Sequence, residues 1–202
     1  MYCCLITTEK REEIERIQQE FRRYLSPEEI LRGTAQGVNS TLARAIPRIN
    51  KAIKAEYNIT QKYLSRQAVV SPKASIYRLY GGIRINESRL PIVAFRPKQK
   101  GGSIAVAIHK GKTVMVRSAF IATMPSGHTG VFSRGRYVRS GFQYGRERTA
   151  SGKVRITERV TTSPLRMAIS PEVRADVAAF IEREAAARVQ GILTSRVKKI
   201  RG

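Results

Sequence analysis

Apolar residues recur at helical spacing through the first 56 residues of the chain. Residues 9–25 form a first amphipathic stretch, and acidic side chains fill its first turn, where the helix dipole favours them. Ser26, Pro27 and Glu29 then supply an N-cap, a proline suited to the first helical position and a capping glutamate. The sequence therefore predicts one helix over 9–25 and a second, longer helix that starts at Pro27. Their apolar positions are Ile14, Ile17, Phe21 and Tyr24 or Leu25 in the first helix, and Leu31, Ala35, Val38, Leu42, Ala45, Ile49 and Ile53 in the second.

Two further helical segments and one internal proline complete the helical prediction. Pro47 lies inside the long helix, and because proline lacks an amide hydrogen we expect a kink or a break there. A short helix is expected over 60–67. Ser170, Pro171 and Glu172 open a last helix that extends to about residue 198, with cations at the negative end of its dipole.

The pattern changes after Ser71 and Pro72 to short segments rich in Ile, Val and Tyr. These segments are residues 76–80, 83–85, 91–95, 103–108 and 113–116, separated by glycine-containing turns. The connections are too short for helical crossovers, so the strands are expected to be antiparallel. The sequence predicts an α+β fold, with a small antiparallel β-sheet or barrel from about 74 to 134 packed by the long N-terminal helix and the C-terminal helix. Expected core residues are Ile83, Ile85, Ile92, Val93, Phe95, Ile104, Val106, Ile108, Val114 and Val116, joined by Phe120, Ile121 and Phe132.

Basic residues are concentrated in the middle of the chain. The 202 residues carry 38 Lys and Arg against 15 Asp and Glu, a formal charge of +23. Residues 31–160 contribute 25 of the basic and four of the acidic side chains, and 11 basic residues but no carboxylate lie between Glu87 and Glu147. Such self-repulsion is relieved by a polyanion, an acidic partner or complementary neighbouring subunits, and the simplest alternative is a solvated surface without a partner.

Residues 134–160 are expected to form a mobile Arg/Gly-rich loop or the tip of a hairpin, since little in them can build a core. Arginines, glycines and aromatic residues are interleaved there, which is typical of segments that follow a nucleic-acid backbone. Arg and Tyr are equally typical anchors of protein interfaces, and composition does not separate the two interpretations. The candidate interaction residues are Arg134, Arg136, Tyr137, Arg139, Arg146 and Arg148.

Candidate catalytic and metal-binding groups are scattered along the chain. His109 and His128 are the only histidines, and the adjacent Cys3 and Cys4 are more than 100 residues from either, so no metal-ligand spacing exists. No acidic residue stands near His128 in the sequence to orient its ring, which leaves a nucleophile–base pair unsupported. A histidine used in turn packing is the simpler interpretation. We expect no enzyme activity, no cofactor and no metal.

The chain also lacks the sequence signals of membrane insertion and secretion. No apolar run approaches the roughly 20 residues that a membrane helix requires. The first eight residues contain no basic segment of the kind that opens a secretory signal. Two adjacent cysteines cannot form a disulfide framework and suit a reducing compartment. We expect a protein made inside the cell.

Residues 119–134, AFIATMPSGHTGVFSR, resemble the signature segment of the phage minor tail protein Z family, which comprises tail-completion proteins of tailed phages and prophages. Four other pieces occur in the order that this family shows: an Arg-rich helix ending in Tyr57-Asn58-Ile59, a strand at 89–95, a hairpin at 103–116 and a proline-bearing entry to the last helix at 163–173. The resemblance covers roughly residues 30–195. Its signature loop contains Ala119, Phe120, Gly127, His128, Gly130 and Val131.

The resemblance implies a chain made of an N-terminal helical extension, residues 1–26, and a tail-completion-like α+β domain, residues 27–202. It implies a non-enzymatic virion protein of the neck that completes the tail and joins it to the head, acting by protein–protein contacts in a homo-oligomeric ring. The implied partners are the tail terminator, the tail tube and the head–tail connector, with nonspecific contact with the phage DNA and none with a membrane. The protein would be made in the host cytoplasm and located in the virion tail. The alternative is a basic nucleic-acid-binding protein, either ribosome-associated or a DNA-packaging factor, which would share the charge but not the signature segment.

Overall fold

The computed structural model describes residues 8–135, 137–140, 143–146 and 149–201, without the side chains of residues 8–10, 137–140 and 143–146. The chain divides into two compact units. The helical unit comprises residues 8–53, 66–86 and 165–201, and the β-rich unit comprises residues 54–65 and 87–164. Long helices at both ends of the chain and small antiparallel sheets between them confirm the predicted α+β class.

The secondary-structure elements follow one another in a helix–strand–helix order. The helices are α1 (Thr8–Phe21), α2 (Pro27–Glu56), α3 (Gln61–Leu64), α4 (Pro164–Ala168) and α5 (Pro171–Arg201). The strands are β1 (Ala68–Val70), β2 (Ile83–Ile85), β3 (Lys98–Lys100), β4 (Ser103–Val106), β5 (Val114–Arg117), β6 (Ala119–Thr123), β7 (Thr129–Arg134), β8 (Tyr137–Ser140), β9 (Gln143–Arg146) and β10 (Ile156–Glu158).

The helical unit is built on α1, α2 and α5. The apolar positions predicted for α1 are buried together with Ile30 of α2 and residues of α5, because each helix has one apolar face to remove from water. Leu31, the first apolar position predicted for α2, is half-buried instead. The predicted cap is present, since the Glu29 amide donates a hydrogen bond of 3.3 Å to the Ser26 hydroxyl. This core cluster consists of Ile14, Phe21, Leu25, Ile30, Val189 and Leu193.

Two glycines of α2 allow a close approach of α5. A Cβ atom added to Gly33 would lie 2.5 Å from Leu193 Cδ2, and one added to Gly37 would lie 2.7 Å from Val189 Cγ2 and 2.9 Å from Val189 Cα. Farther along the same pair of helices, the Arg48 guanidinium forms a two-pronged ion pair with Asp176. The order of these contacts shows that α2 and α5 run antiparallel.

The sequence predicted a kink or a break at Pro47, and the break is wrong. Residues 27–56 are continuously helical, with Pro47 inside. Proline removes one backbone hydrogen bond and crowds the preceding turn. Ala45 and Ile49 are both buried on either side of it, and this packing outweighs the local cost.

The predicted strand at 76–80 is wrong. Residues 71–82 are instead the connection between β1 and β2, which pair antiparallel with Ala68 opposite Ile85. Its tip is a tight turn in which Ser75 and Arg78 exchange backbone hydrogen bonds of 2.7 and 3.0 Å. Ile76, Leu79 and two tyrosines gave the segment the composition of a strand, although no neighbouring strand pairs with it within the described part of the chain.

The β-rich unit contains two three-stranded antiparallel sheets, ordered β3-β4-β5 and β10-β7-β6, and the β8-β9 hairpin. The central strand β4 buries Ile104, Ala105 and Val106, so both of its faces are covered. Only Ser118 separates β5 from β6, and its positive φ of 54° turns the chain from the first sheet into the second. The segment predicted as a mobile loop or hairpin tip contains β8, β9 and β10, which agrees with the hairpin alternative.

The expected strand at 91–95 is also wrong, because Ile92–Phe95 is a short 3-10 helix. Ile92, Ala94 and Phe95 are buried, the last two completely, and Val93 is half-buried, so the segment does not show the alternating burial of a strand with one covered face. Two backbone hydrogen bonds tie its entrance to the chain after β10: Leu90 donates to Thr162 O and Ile92 to Arg159 O, each at 3.0 Å.

The expected core is correct for some residues and wrong for two. Ile83, Ile92, Phe95, Ile104, Val106 and Phe132 are buried, and Ile85, Val93, Ile108, Val116 and Phe120 are half-buried. Val114 and Ile121 are exposed. Val114 lies on β5 and Ile121 on β6, and both are edge strands, which have a neighbouring strand on one side only.

Candidate functional site

The segment 119–134 is a β-hairpin closed by a tight turn. β6 pairs with β7 from Ala119 opposite Ser133 to Thr123 opposite Thr129. The turn is held by hydrogen bonds from Met124 N to His128 O and from Gly127 N to Met124 O, both 2.8 Å. Gly127 has a φ of 79°, a conformation that side chains oppose, so the glycine is required by the turn itself.

His128 has an acidic partner, contrary to the sequence-based expectation. Its Nε2 atom lies 3.0 Å from Oε1 of Glu158, which is 30 residues later in the chain. Glu158 belongs to β10 and pairs with Phe132 of β7. Sheet pairing therefore brings the two side chains together, and no local sequence signal could reveal it.

Gly130 leaves the space that Glu158 occupies. A Cβ atom at position 130 would lie 2.6 Å from Glu158 Oε1 and 3.0 Å from Phe132 Cζ. The Glu158 side chain thus extends from β10 over the neighbouring strand β7 at Gly130, the one residue of β7 without a side chain. Gly127 and Gly130 are therefore needed for different reasons: the first for its backbone conformation and the second for the space beside it.

An aromatic cluster surrounds this contact. The Phe120 and Phe132 rings are 6.3 Å apart, and the His128 ring meets Phe132 edge-on at 6.3 Å between centroids. The Arg134 guanidinium lies 5.9 Å from the centre of the Phe120 ring. The cluster combines apolar, cationic and hydrogen-bonding groups on one sheet, a composition suited to a protein contact.

The His128–Glu158 pair shows no catalytic arrangement within the described residues. An oriented histidine acts as a general base only beside a nucleophile, and no hydroxyl or thiol there hydrogen-bonds to His128. Those residues also contain no group of three or more His, Cys, Asp and Glu side chains able to hold a metal.

The structure locates four of the six basic-segment residues that the sequence singled out. Arg134 is exposed at the end of β7, and Gly135 N donates a 2.6 Å hydrogen bond to Arg155 O, closing the base of the segment. Tyr137 pairs with Arg146, and Arg139 with Tyr144, in the β8-β9 hairpin. Arg136 and Arg148 lie outside the described residues.

Further cations are exposed on the β-rich unit. The unit contains 17 basic and four acidic residues, so it has the higher charge per residue of the two units. Cations not singled out from the sequence include Lys98, Lys100 and Arg117, on strands of the β3-β4-β5 sheet. They lie in the carboxylate-free stretch between Glu87 and Glu147, where no further local signal marked them as a site.

The family model of prophage minor tail protein Z (GPZ) matches residues 22–199. The chain belongs to this family. A minor tail protein Z is a structural part of the phage tail, so the family places the chain in a virion and suggests that it is not an enzyme. No curated protein and no solved structure matches the chain.

Membership of the minor tail protein Z family covers the whole hairpin 119–134 and the basic segment, whereas α1 lies before the matched residues. Tyr57-Asn58-Ile59, another piece of the likeness, continues the β-rich unit: Asn58 N donates a 2.9 Å hydrogen bond to Ile108 O. No helix in the described ranges is both long and apolar enough to cross a membrane.

Proposed function

We propose that this minor tail protein Z completes the phage tail and joins it to the head at the neck of the virion. It acts by protein–protein contacts in a homo-oligomeric ring, with the tail terminator, the tail tube and the head–tail connector as partners. The family match over residues 22–199 is the observation that carries the proposal. The role needs no catalytic site, cofactor or metal.

The charge of the β-rich unit supports a position beside the DNA path or beside acidic rings. The unit has 17 basic residues and only four acidic ones, so its cations repel one another unless anionic groups of a partner lie nearby. A ring of such subunits multiplies the positive potential around its opening. Nonspecific contact with the phage DNA, through its phosphates, follows from the same charge.

An exposed sheet edge supports contacts with other proteins. β5 is the last strand of the β3-β4-β5 sheet, and its Val114 and Met115 side chains are 44% and 47% exposed. Edge strands with uncovered apolar side chains readily pair with a neighbouring chain. A ring closed by rotation needs two different surfaces on each subunit, and this edge can supply one.

Loss of the basic segment tests the proposal. We expect Arg134→Ala, Arg136→Ala and Arg139→Ala, combined, to leave the protein folded but reduce the number of tails that join heads in vitro. Tails and heads are purified separately, mixed, and joined particles are counted by electron microscopy. The matched control, Arg44→Ala, Lys54→Ala and Lys62→Ala, removes three exposed cations from outside the segment.

Two results would contradict the proposal. If the protein is missing from purified tails, it is not a completion component. If joining is unaffected by the segment variant while binding to a defined nucleic acid is lost, the nucleic-acid-binding alternative is favoured for this surface.

A further inference from the structure

The connection between β1 and β2 forms a rigid projection on the helical unit. We call residues 71–82 the tyrosine loop. Its base is closed by hydrogen bonds from Ser71 N to Gly82 O, at 2.8 Å, and from Gly82 N to Pro72 O, at 2.9 Å. Its tip is the tight turn between Ser75 and Arg78 described above.

Helix α2 fixes the orientation of the loop. The Asn39 side-chain amide donates a hydrogen bond of 2.9 Å to Ala74 O and accepts one of 2.8 Å from Ala74 N. The side chain thus pairs with the loop backbone as a neighbouring strand would. A Cβ atom at Gly81 would lie 2.8 Å from Leu42 Cδ1, so the loop lies directly against the helix. The Arg78 guanidinium donates to Lys73 O at 3.2 Å and lies 5.2 Å from the centre of the Tyr80 ring.

This fixed loop exposes two large aromatic side chains. Tyr77 is 93% exposed and Tyr80 is 57% exposed, and Lys73 and Arg78 beside them are also exposed. Tyr and Arg are the residue types that most often anchor protein interfaces. Because the loop is already ordered, little conformational entropy is lost when it binds.

The chemistry of the loop favours a protein over a nucleic acid. Affinity for nucleic acid that is independent of sequence grows with the number of phosphates that Lys and Arg neutralise. The tyrosine loop has only Lys73 and Arg78, and Arg78 is engaged within the loop. Two tyrosines with two cations fit a protein surface that is moderately acidic.

The outward face of α1 is such a surface. The apolar face of α1, with Ile14 and Phe21, packs into the core of the helical unit. Glu12 lies opposite that face, and Glu15 and Glu20 are exposed at helical spacing on either side of it. None of the three is in an ion pair within the described residues. Arg11 and Arg16 are exposed beside them, so this face has three carboxylates against two cations.

We infer that the tyrosine loop of one copy binds the outward face of α1 of the next copy. The two surfaces are different, as a closed ring of identical subunits requires. They are also opposite in charge, which favours their contact. The inference rests on the ring of the proposed function. Since α1 precedes the residues matched by the family, this contact is one that the chain adds to the family's common body.

Photocrosslinking in assembled tails tests the contact directly. Tyr77 is replaced by p-benzoylphenylalanine, tails are irradiated, and crosslinked peptides are located by mass spectrometry. We expect crosslinks to residues 8–21 of a second copy. The same replacement at the exposed Ile169 is the control and should give no crosslink to that segment.

The other outcomes are also informative. Crosslinks to DNA, to another tail protein or to a different part of this chain overturn the inference and leave the proposed function intact. Absence of any crosslink from tails that contain the protein overturns it as well. Absence of the protein from tails overturns the proposed function itself.

A charge exchange tests the same contact without a photoreactive group. We expect Lys73→Glu to lower the yield of completed tails by about fivefold, because it places like charges together. Adding Glu12→Lys should restore the yield to within about twofold of the unchanged protein. Lys62→Glu, which reverses an exposed lysine outside the loop, is the control and should have little effect. Failure of the second substitution to restore the yield overturns the inference.

Discussion

At the scale of single residues, the absence of a side chain at position 130 permits the contact between His128 and Glu158. Glu158 Oε1 lies only 2.6 Å from the position that a Cβ atom at residue 130 would take. Packed interiors have no spare volume, so one added methyl group must displace a neighbour. The Glu158 carboxylate can rotate away, whereas the buried Phe132 ring, 3.0 Å from the same point, has little freedom to move.

We therefore expect Gly130→Ala to lower the free energy of unfolding by about 1–3 kcal/mol, as overpacking does elsewhere. Denaturant unfolding followed by circular dichroism measures the change. Gly102→Ala is the matched control, because nothing lies within 4 Å of a Cβ atom at Gly102, and we expect a change within about 0.5 kcal/mol. Equal effects at the two positions would contradict the packing argument.

The ion pair between Arg48 and Asp176 gives a prediction about pH. The hydrogen bond from the Arg48 guanidinium, opposed by burial, holds the pKa of Asp176 below its ordinary value. A carboxyl group whose pKa is lowered on folding stabilises the protein above its unfolded pKa, and this contribution is lost as pH falls through the folded pKa.

We expect Asp176→Asn to lower the melting temperature at pH 7 and to reduce the further loss below about pH 4, where an unfolded aspartate is protonated. Melting curves between about pH 7 and 3 provide the measurement. Glu172→Gln, which neutralises an exposed carboxyl group on the same helix, is the control. Parallel curves for the unchanged protein and Asp176→Asn would refute the role of the pair.

At the scale of elements, local signals predicted the helices and failed where distant contacts decide. The cap at Ser26 and the apolar stripe of α2 are local, and both are confirmed. Tertiary packing keeps Pro47 within a continuous helix and turns Ile92–Phe95 into a 3-10 helix, against the local pattern. The hairpin turn at Gly127 was within reach of the sequence, whereas Glu158 was not, since its contact depends on strand pairing across 30 residues.

The close approach of α2 and α5 is an element-scale feature that depends on Gly37. Alanine is the better helix former by about 1 kcal/mol, so propensity alone favours Gly37→Ala. A Cβ atom there would lie 2.9 Å from the Cα atom of Val189, and backbone cannot rotate away. We expect a net loss of about 1–3 kcal/mol in the free energy of unfolding.

Gly191→Ala separates packing from propensity. Gly191 lies inside α5 with nothing within 4 Å of its Cβ position. The same substitution there should raise the free energy of unfolding by about 0.5–1 kcal/mol. Opposite signs at the two helical glycines support the close helix contact, and a gain at both would contradict it.

At the scale of the whole molecule, charge is divided unevenly between the two units. The helical unit carries most of the carboxylates, including those of α1 and α5, whereas the β-rich unit has four. Exposed charges interact over about 8–10 Å at moderate salt, so cations that lie close together act jointly on an anionic partner. Because the basic segment of the β-rich unit brings several cations together, we expect binding to DNA at that segment.

The salt dependence of DNA binding tests whether the basic segment contacts phosphates. Each phosphate neutralised adds about 0.9 to the slope of log affinity against log salt concentration. If Arg134, Arg136 and Arg139 all contact phosphates, replacing them with Ala should reduce that slope by about 3 for duplex DNA.

The variant of Arg44, Lys54 and Lys62 has the same net charge but should keep the slope of the unchanged protein, because its cations lie outside the segment. Fluorescence anisotropy with a DNA duplex of arbitrary sequence, between about 50 and 200 mM salt, makes the comparison. Equal reductions in the two variants would mean that net charge alone draws the protein to DNA, and the basic segment would then be free to face a protein ring instead.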